Sequence, residues 1–408
     1  MDTDFPESKG SPQLMKQMNN NIVLCCIKKH EYISRADISR ETGISQPTVS
    51  KIVDYLLEKQ IIIEHGKGDS CGGRRPFLLS FNHNWGYVIG ADLGGQRARL
   101  AAANLAGEYI EKKSLPLDHG SDEENIELVI NEIESLKKQL SNKNRRFIAL
   151  SVAVPGIVDI NSRLITRSML FKTWKNFPLR QMLEKRLKTE VFIENDVNMH
   201  AFGELNYGLG KKFKNLVFVS INPSIGAGII INGDIYRGYN GASGELGFLL
   251  VEKKGLKDGT YIGNQLESMA SVLMILERAR HSAIRNRYGK LNELSNNDLD
   301  KISLDLVFLA ARSSDEECTA IIRDALEAIA VAIINIISVL NPEVVVVGGD
   351  IAEVFDANEL VVKPLCEMIS LVVPEMQLIS LSSLGPDAAL RGSIAFSIDG
   401  LKNKLLFC

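Results

Sequence analysis

Apolar residues recur at spacings of three and four between Gln13 and Lys29, at Leu14, Met15, Met18, Ile22, Val23, Cys26 and Ile27. That period predicts one amphipathic helix. The following stretch, ISRADISRETGISQPTVSKIVDYLLEKQIIIEHG, keeps the period in two shorter pieces. Ser34 with Asp37 three residues on is a variant of the capping box, and it opens a helix from about Arg35 to Thr42. Gly43 supplies a positive φ for a tight turn, and Ser45 is placed to cap a third helix. Pro47 falls in that helix's first turn, where a missing N–H does no harm. Ile38, Ile44, Val49 and Ile52 are in phase, and small Ser39 stands where the two helices must cross. This is the spacing of a helix-turn-helix, whose second helix enters the major groove. Its outward residues would be Gln46, Thr48, Ser50 and Lys51 beside Ser45, polar groups suited to base edges and phosphates.

After Leu57 the period changes from helical to alternating. QIIIEHGKGDSCGGRRPFLLSFN predicts a β-hairpin with a glycine-rich tip. It follows the recognition helix directly and reads as the wing of a winged helix. Lys67, Arg74 and Arg75 lie at its tip, where cations hold phosphates or enter a narrow minor groove. From Tyr87 onward strands alternate with helices, which argues an α/β body. YVIGADLGG and RARLAAANLAG form one hairpin, with a glycine turn at Gly94-Gly95. NLVFVSINPSIGAGIIINGDIYRG forms another, with a glycine turn at Gly226 and Gly228. DALEAIAVAIINIISVLNPEVVVVGGD reads as an apolar helix, then a strand ending at Gly348-Gly349. Two such hairpins about 130 residues apart imply two similar lobes with a cleft between them.

Charge sharpens this division. Residues 9–80 carry 11 Lys/Arg against 7 Asp/Glu, and residues 81–408 carry 36 against 40. A basic head on an acidic body points to nucleic acid as the head's partner. With 408 residues the chain exceeds one core, and 45% hydrophobic with 24% charged residues is ordinary for a globular protein. The longest apolar runs are interrupted or too short to span a bilayer, and MDTDFPESKG is too acidic and polar for a signal peptide. Six cysteines (Cys25, Cys26, Cys71, Cys318, Cys366 and Cys408) form no C-x-x-C pair, and no His/Cys cluster shows metal spacing. Free thiols in a reducing cytoplasm are expected.

The head, with its Gly72-Gly73-Arg74-Arg75-Pro76 string, closely resembles that of ROK-family transcriptional repressors, the group that includes xylose and N-acetylglucosamine repressors. The resemblance continues through the body. GADLGGQRARL is similar to the family's first phosphate loop, SVAVPGIVD to its V-P-G-x-V-D turn and ENDVNMHAFGE to its E-N-D-x-N segment. SIGAGIIINGDIYRGYNGASGELG is similar to its second phosphate loop, and VVVVGGD to its adenosine-side loop. It implies a winged helix-turn-helix over residues 1–84 and a two-lobed, actin-like, sugar-kinase-type body. The first lobe would take residues 85–200 and the second 201–384, with a C-terminal helix within 385–408 packing back on the first. By resemblance Asp196 is the kinase's general base and Asn195 holds a neighbouring hydroxyl, while Glu245 and Glu267 are further sugar contacts.

Departures from the family matter as much. The usual Thr or Ser after D-x-G-G is Gln96, so Asp92, Gly94, Gly95 and Gln96 form an incomplete phosphate loop. Gly226, Gly228, Gly348 and Gly349 are read as vestiges of the other nucleotide loops. The family's zinc-binding His and Cys positions hold Phe248 and, nearby, Asp258, Thr260 and Gln265. Structural zinc needs four N/S ligands, so no structural zinc is expected, and no metal or other cofactor unless the chain is a kinase using ATP and magnesium. Phe248 would either stack on an apolar sugar face or fill the space of the zinc loop. These features imply a cytoplasmic regulator, with a sugar or sugar-phosphate effector in the interlobe cleft. It would bind a pseudo-palindromic duplex as a homodimer or dimer of dimers. The alternatives are an ATP- and magnesium-dependent sugar kinase with an appended DNA-binding head, and a DNA-binding protein that takes no ligand.

Overall fold

The computed structural model describes residues 12–67, 77–118, 120–141, 145–168, 170–251, 265–373 and 378–400. Arg74, Arg75, Asp258 and Thr260 lie outside these, as does the side chain of Lys67.

The head folds as its periodicity requires. Helix α1 spans Pro12–Lys29, strand β1 Ile33–Ser34, α2 Arg35–Thr42 and α3 Gln46–Glu58, followed by β2 Ile62–Lys67 and β3 Phe77–Phe81. The strands pair antiparallel in the order β1-β3-β2. Ser34 Oγ accepts from the Asp37 amide and donates to its carboxylate, closing the cap of α2. Gly43 ends α2 at φ 69°, a left-handed turn that turns the chain into α3. Ser45 occupies the N-cap of α3, yet its hydroxyl lies 2.9 Å from that of Thr48 instead of capping a backbone N–H.

Two five-stranded sheets build the body. The first uses β4 Gly86–Asp92, β5 Arg97–Asn104, β6 Tyr109–Pro116, β7 Arg146–Val154 and β10 Glu190–Asn195, in the order β10-β7-β4-β5-β6. Helix α4 (Asp122–Ser141), the small hairpin β8 Gly156–Val158 with β9 Ile165–Ser168, and α5 Leu179–Leu187 lie between these strands in sequence. Helix α6 (Asp196–Tyr207) leads to the second lobe, with β11 Leu216–Ile221, β12 Ile225–Ile231 and β13 Asp234–Ile235. After α7 Leu266–Ala270, α8 Val272–Arg285, α9 Lys290–Leu294, α10 Leu304–Arg312 and α11 Glu316–Leu340 come β14 Val344–Gly348, α12 Lys363–Ser370 and β15 Leu378–Leu381. Their sheet runs β13-β12-β11-β14-β15. The last helix, α13 (Ala388–Gly400), returns to the first lobe against β4 and β7 and packs along α6.

Helices α6 and α13 meet backbone to backbone. A Cβ at Gly203 would fall 2.1 Å from the Ala388 carbonyl oxygen, and one at Gly392 only 1.8 Å from that of Met199. One buried apolar cluster runs from Val23, Ile38, Val53 and Leu79 in the head to Val88 and Ala101 in the first sheet and to Leu390 and Ile394 in α13. Among the described residues no helix is long and apolar enough to cross a membrane.

Two glycine readings need correction. Gly226 and Gly228 lie inside β12, and the turn itself falls at Asn222–Ser224, where the Asn222 amide donates to the Ser224 carbonyl. These glycines serve a close approach: a Cβ at Gly228 would sit 2.4 Å from the Val197 carbonyl oxygen of α6. Gly94 and Gly95 are not among the residues with positive φ, so their turn does not demand glycine on conformational grounds.

Candidate functional site

On the head, Gln46 and Lys51 are exposed on α3, and Thr48 and Ser50 half-buried, while Val49, Ile52, Val53 and Leu56 face the core. Arg35 bridges Asp54 of α3 at 2.9 Å, fixing the start of α2 against the recognition helix. Ser45 through Lys51 thus form one polar patch on a helix held rigidly from behind.

In the body, the two carboxylates that matter come from the ends of β4 and β10, which flank β7. Asp92 is buried at the end of β4, and its Oδ1 accepts from the Gly94 amide at 2.9 Å. Asp196 opens α6, immediately after β10. A Cβ at Gly94 would lie 2.6 Å from Asp196 Oδ2 and 3.1 Å from Asp92 Oδ1, so a side chain there would crowd both carboxylates. Asp196 retains some accessible surface, but its carboxyl is enclosed. Burial, then the Asp92 charge and more weakly Glu245, push its pKa up to about 8. Burial also raises Glu245, with Glu267 adding to the rise and Arg167 opposing it. Asp92, Asp196, Glu245 and Glu267 therefore form a chain of mutually sensed carboxyl groups drawn from both lobes.

Several of these groups are already committed. Asn195 is the N-cap of α6: its Oδ1 accepts from Val197 and Asn198 amides, and its Nδ2 donates to the Gly156 carbonyl and to Asp196 Oδ1 at 3.1 Å each. Its first effect is to hold Asp196. Glu267 Oε2 accepts from the Ile225 amide at 3.1 Å. Phe248 is 56% exposed and does not fill an interior space. Gly95 and Gln96 are exposed at the loop tip.

Four further residues join the site. Arg99 stands directly opposite Asp92 in the β4–β5 ladder, a cross-strand position readable from hairpin register. Its Nη1 lies 3.7 Å from Asp92 Oδ2 and donates to the carbonyl of Pro386, which precedes α13. Across the cleft, burial raises the carboxyl of Asp350, beyond Gly348-Gly349, and Arg99 counters that rise. His200, one turn after Asp196, has Nδ1 2.8 Å from the Asp196 carbonyl and stacks on Phe218; burial lowers its pKa against the opposing charge of Asp92. Glu194, the first residue of the E-N-D segment, reaches into the second lobe to Arg237 at 2.6 Å.

A profile of the ROK family matches residues 88–399, and a winged helix-turn-helix DNA-binding profile matches residues 22–63. The chain belongs to the ROK family. It is 30% identical to a xylose repressor of Caldicellulosiruptor bescii over 402 residues, covering 96% of this chain and 98% of that one. Among solved structures, a ROK family transcriptional regulator, homolog of the Escherichia coli MLC protein, superposes with a TM-score of 0.79 at 23% identity, over 96% of this chain and 98% of that one. A ROK family glucokinase from Streptomyces griseus, in complex with glucose and AMPPNP, superposes at a TM-score of 0.63 and 22% identity, over 76% of this chain and 99% of the kinase. The shared fold is thus an actin-like sugar-kinase body, to which this chain adds a winged helix-turn-helix.

Proposed function

We propose that the protein is a sugar-responsive, DNA-binding transcriptional repressor whose body is a sugar-kinase fold without phosphoryl transfer. The observation that carries this is the state of Asp92. Its carboxylate, the group a magnesium ion would need, faces the guanidinium of Arg99, while Gln96 replaces the phosphate-holding hydroxyl. The sugar side is not disabled in this way, because Asp196, Glu245 and Glu267 keep acceptor and donor groups that match sugar hydroxyls. The relationship to a xylose repressor supports the same reading and makes xylose the first sugar to test. Phe248 and Gln265 offer no N/S ligand, so the zinc site of family members does not fit these residues, and we propose a body without zinc.

For regulation, sugar and DNA must favour different lobe arrangements. The buried cluster that joins the head core to α13, and the glycine contacts that join α13 to α6, give a continuous packed route from Asp196 to the helix-turn-helix. Two heads related by a two-fold axis would read a pseudo-palindromic duplex. The decisive experiment is a paired one on a single preparation. Calorimetry and operator binding are measured with xylose and a panel of sugars and sugar phosphates, and phosphate transfer from ATP with magnesium is measured alongside. Sugar binding that shifts DNA affinity without turnover is the expected result. Turnover of roughly 1 per second or more, typical of working kinases, lost in Asp196→Asn, would overturn it. Lys51→Ala should weaken operator binding and reduce its salt slope by about 1.

A further inference from the structure

Outside the cleft, three side chains of different chemistry converge in the DNA-binding head. Cys26 and His30 are one turn apart at the end of α1, and Glu41 reaches them from the last turn of α2. Glu41 Oε2 lies 3.6 Å from Cys26 Sγ and 2.9 Å from His30 Nε2, and all three ligand atoms lie within 4.8 Å of one another. For a tetrahedral zinc ion, with Zn–S of about 2.3 Å and Zn–N or Zn–O of about 2.0 Å, neighbouring ligand atoms stand roughly 3.3–3.6 Å apart. The observed spacing is within a few tenths of an ångström of that on two of the three edges. Small side-chain rotations at half-exposed His30 and Glu41 would complete the fit.

We propose that Cys26, His30 and Glu41 form a binding site for a zinc-class divalent cation, with three protein ligands and an open position for water. The site has the features such a centre requires. Cys26 is buried, 6% exposed, so the soft ligand is shielded. The His30 and Glu41 side chains are 38% and 47% exposed, which gives the ion an entry path. The backbone is already set: the His30 amide donates to the Ile27 carbonyl, and α1 is held to α2 through buried Val23, Ile27 and Ile38. The donor set of thiolate, imidazole and one carboxylate oxygen selects a borderline cation over magnesium or calcium. On binding, the thiol proton, with any proton on His30, is released to solvent, and S–metal, N–metal and O–metal bonds replace the hydrogen bonds to Glu41. The ion would cross-link α1 to the residue two before the Gly43 turn and stabilise the head.

Cobalt(II) titrated into the full-length, reduced protein tests this. The expected result is one equivalent per chain with a thiolate-to-cobalt charge-transfer band and tetrahedral d–d bands, all displaced by zinc. Cys25→Ser, at the exposed neighbouring thiol, should leave them intact. Cys26→Ser should abolish the charge-transfer band. His30→Gln and Glu41→Gln, at half-exposed positions and checked for an unchanged fold by circular dichroism, should each weaken binding by about tenfold or more, on the scale of ligand-sphere substitutions. Absence of the band in the unmodified protein overturns the proposal. So does a band lost with Cys25→Ser, or affinity unchanged in both His30→Gln and Glu41→Gln.

Discussion

The two halves of the cleft compensate their carboxyl groups in different ways. On the phosphate side, Asp92 keeps its place at the end of β4, but Arg99 supplies its countercharge and donates to the chain entering α13. On the proposed sugar side, Asp196, Glu245 and Glu267 have no ion pair among the described residues; burial and the Asp92 charge raise Asp196, and burial and the Glu267 charge raise Glu245 against the opposing pull of Arg167. The same fold therefore holds one carboxylate compensated from within the chain and another group of carboxyls poised for an external partner. Buried acids with few compensating cations are where a ligand gains most, because its hydroxyls replace water at groups that already bear a desolvation penalty. On the proposed reading, the placement of one arginine and the amide of Gln96 separate a sensor from a kinase.

The largest effect should come from the joint between the halves. Glu204 of α6 is fully buried and accepts from the Leu209 amide, the Ser382 and Ser383 hydroxyls and the Ser383 and Leu384 amides, tying α6 to the loop between β15 and α13. Glu204→Ala removes the shared acceptor of five part-buried donors, and hydrogen bonds to a charged group are worth about 1.5–3 kcal/mol each. A loss of at least about 3 kcal/mol in denaturant unfolding is expected. A loss below about 1 kcal/mol would mean the lobes are not joined through this residue.

Next comes the sugar side itself. Asp196→Ala should lower sugar affinity by about 100-fold, the upper end of the roughly 1–3 kcal/mol cost of leaving a buried hydroxyl without its hydrogen-bond partner. Calorimetry checks this, and unchanged affinity would place the sugar elsewhere. The pH dependence of stability is a third measure. Asp196 has a folded pKa of about 8 against an ordinary value of 3.8, so the folded state holds its proton across that interval while the unfolded chain does not. Stability should therefore fall as pH rises from about 4 to about 8, with a contribution of up to about 1.4 kcal/mol per pH unit from this one proton. Asp196→Asn should flatten that part of the curve. A profile identical in the two proteins would show that the carboxyl is ionised at neutral pH.

The smallest effect is expected on the phosphate side. Arg99→Ala removes a partly exposed ion pair at 3.7 Å, worth no more than about 1 kcal/mol. Sugar affinity should be unchanged and turnover still absent, because Gln96 remains. Appearance of ATP-dependent phosphorylation in this variant would reveal that the arginine alone held the kinase silent, and the contrast between the two halves would then rest on a single side chain.

Local periodicity was enough to write the head: α2 spans the predicted Arg35–Thr42, and Ser34, Gly43 and Pro47 punctuate it as their backbone preferences require. The alternation of strands and helices, and the ordered motifs from Asp92 to Gly349, likewise carried the two-lobed body and its family. These features are short-range, since capping, turn and period are set within a few residues of each other. Contacts between distant segments were not legible. That Gly228 exists to admit α6, that Asn195 is spent on capping, that Arg99 meets Asp92 and Pro386, and that Cys26, His30 and Glu41 share one point all depend on which elements pack together. Chain order specifies the elements and their apolar faces. Burial, which with the Asp92 charge turns Asp196 from an ordinary acid into one that keeps its proton near neutrality, exists only once the chain has folded around it.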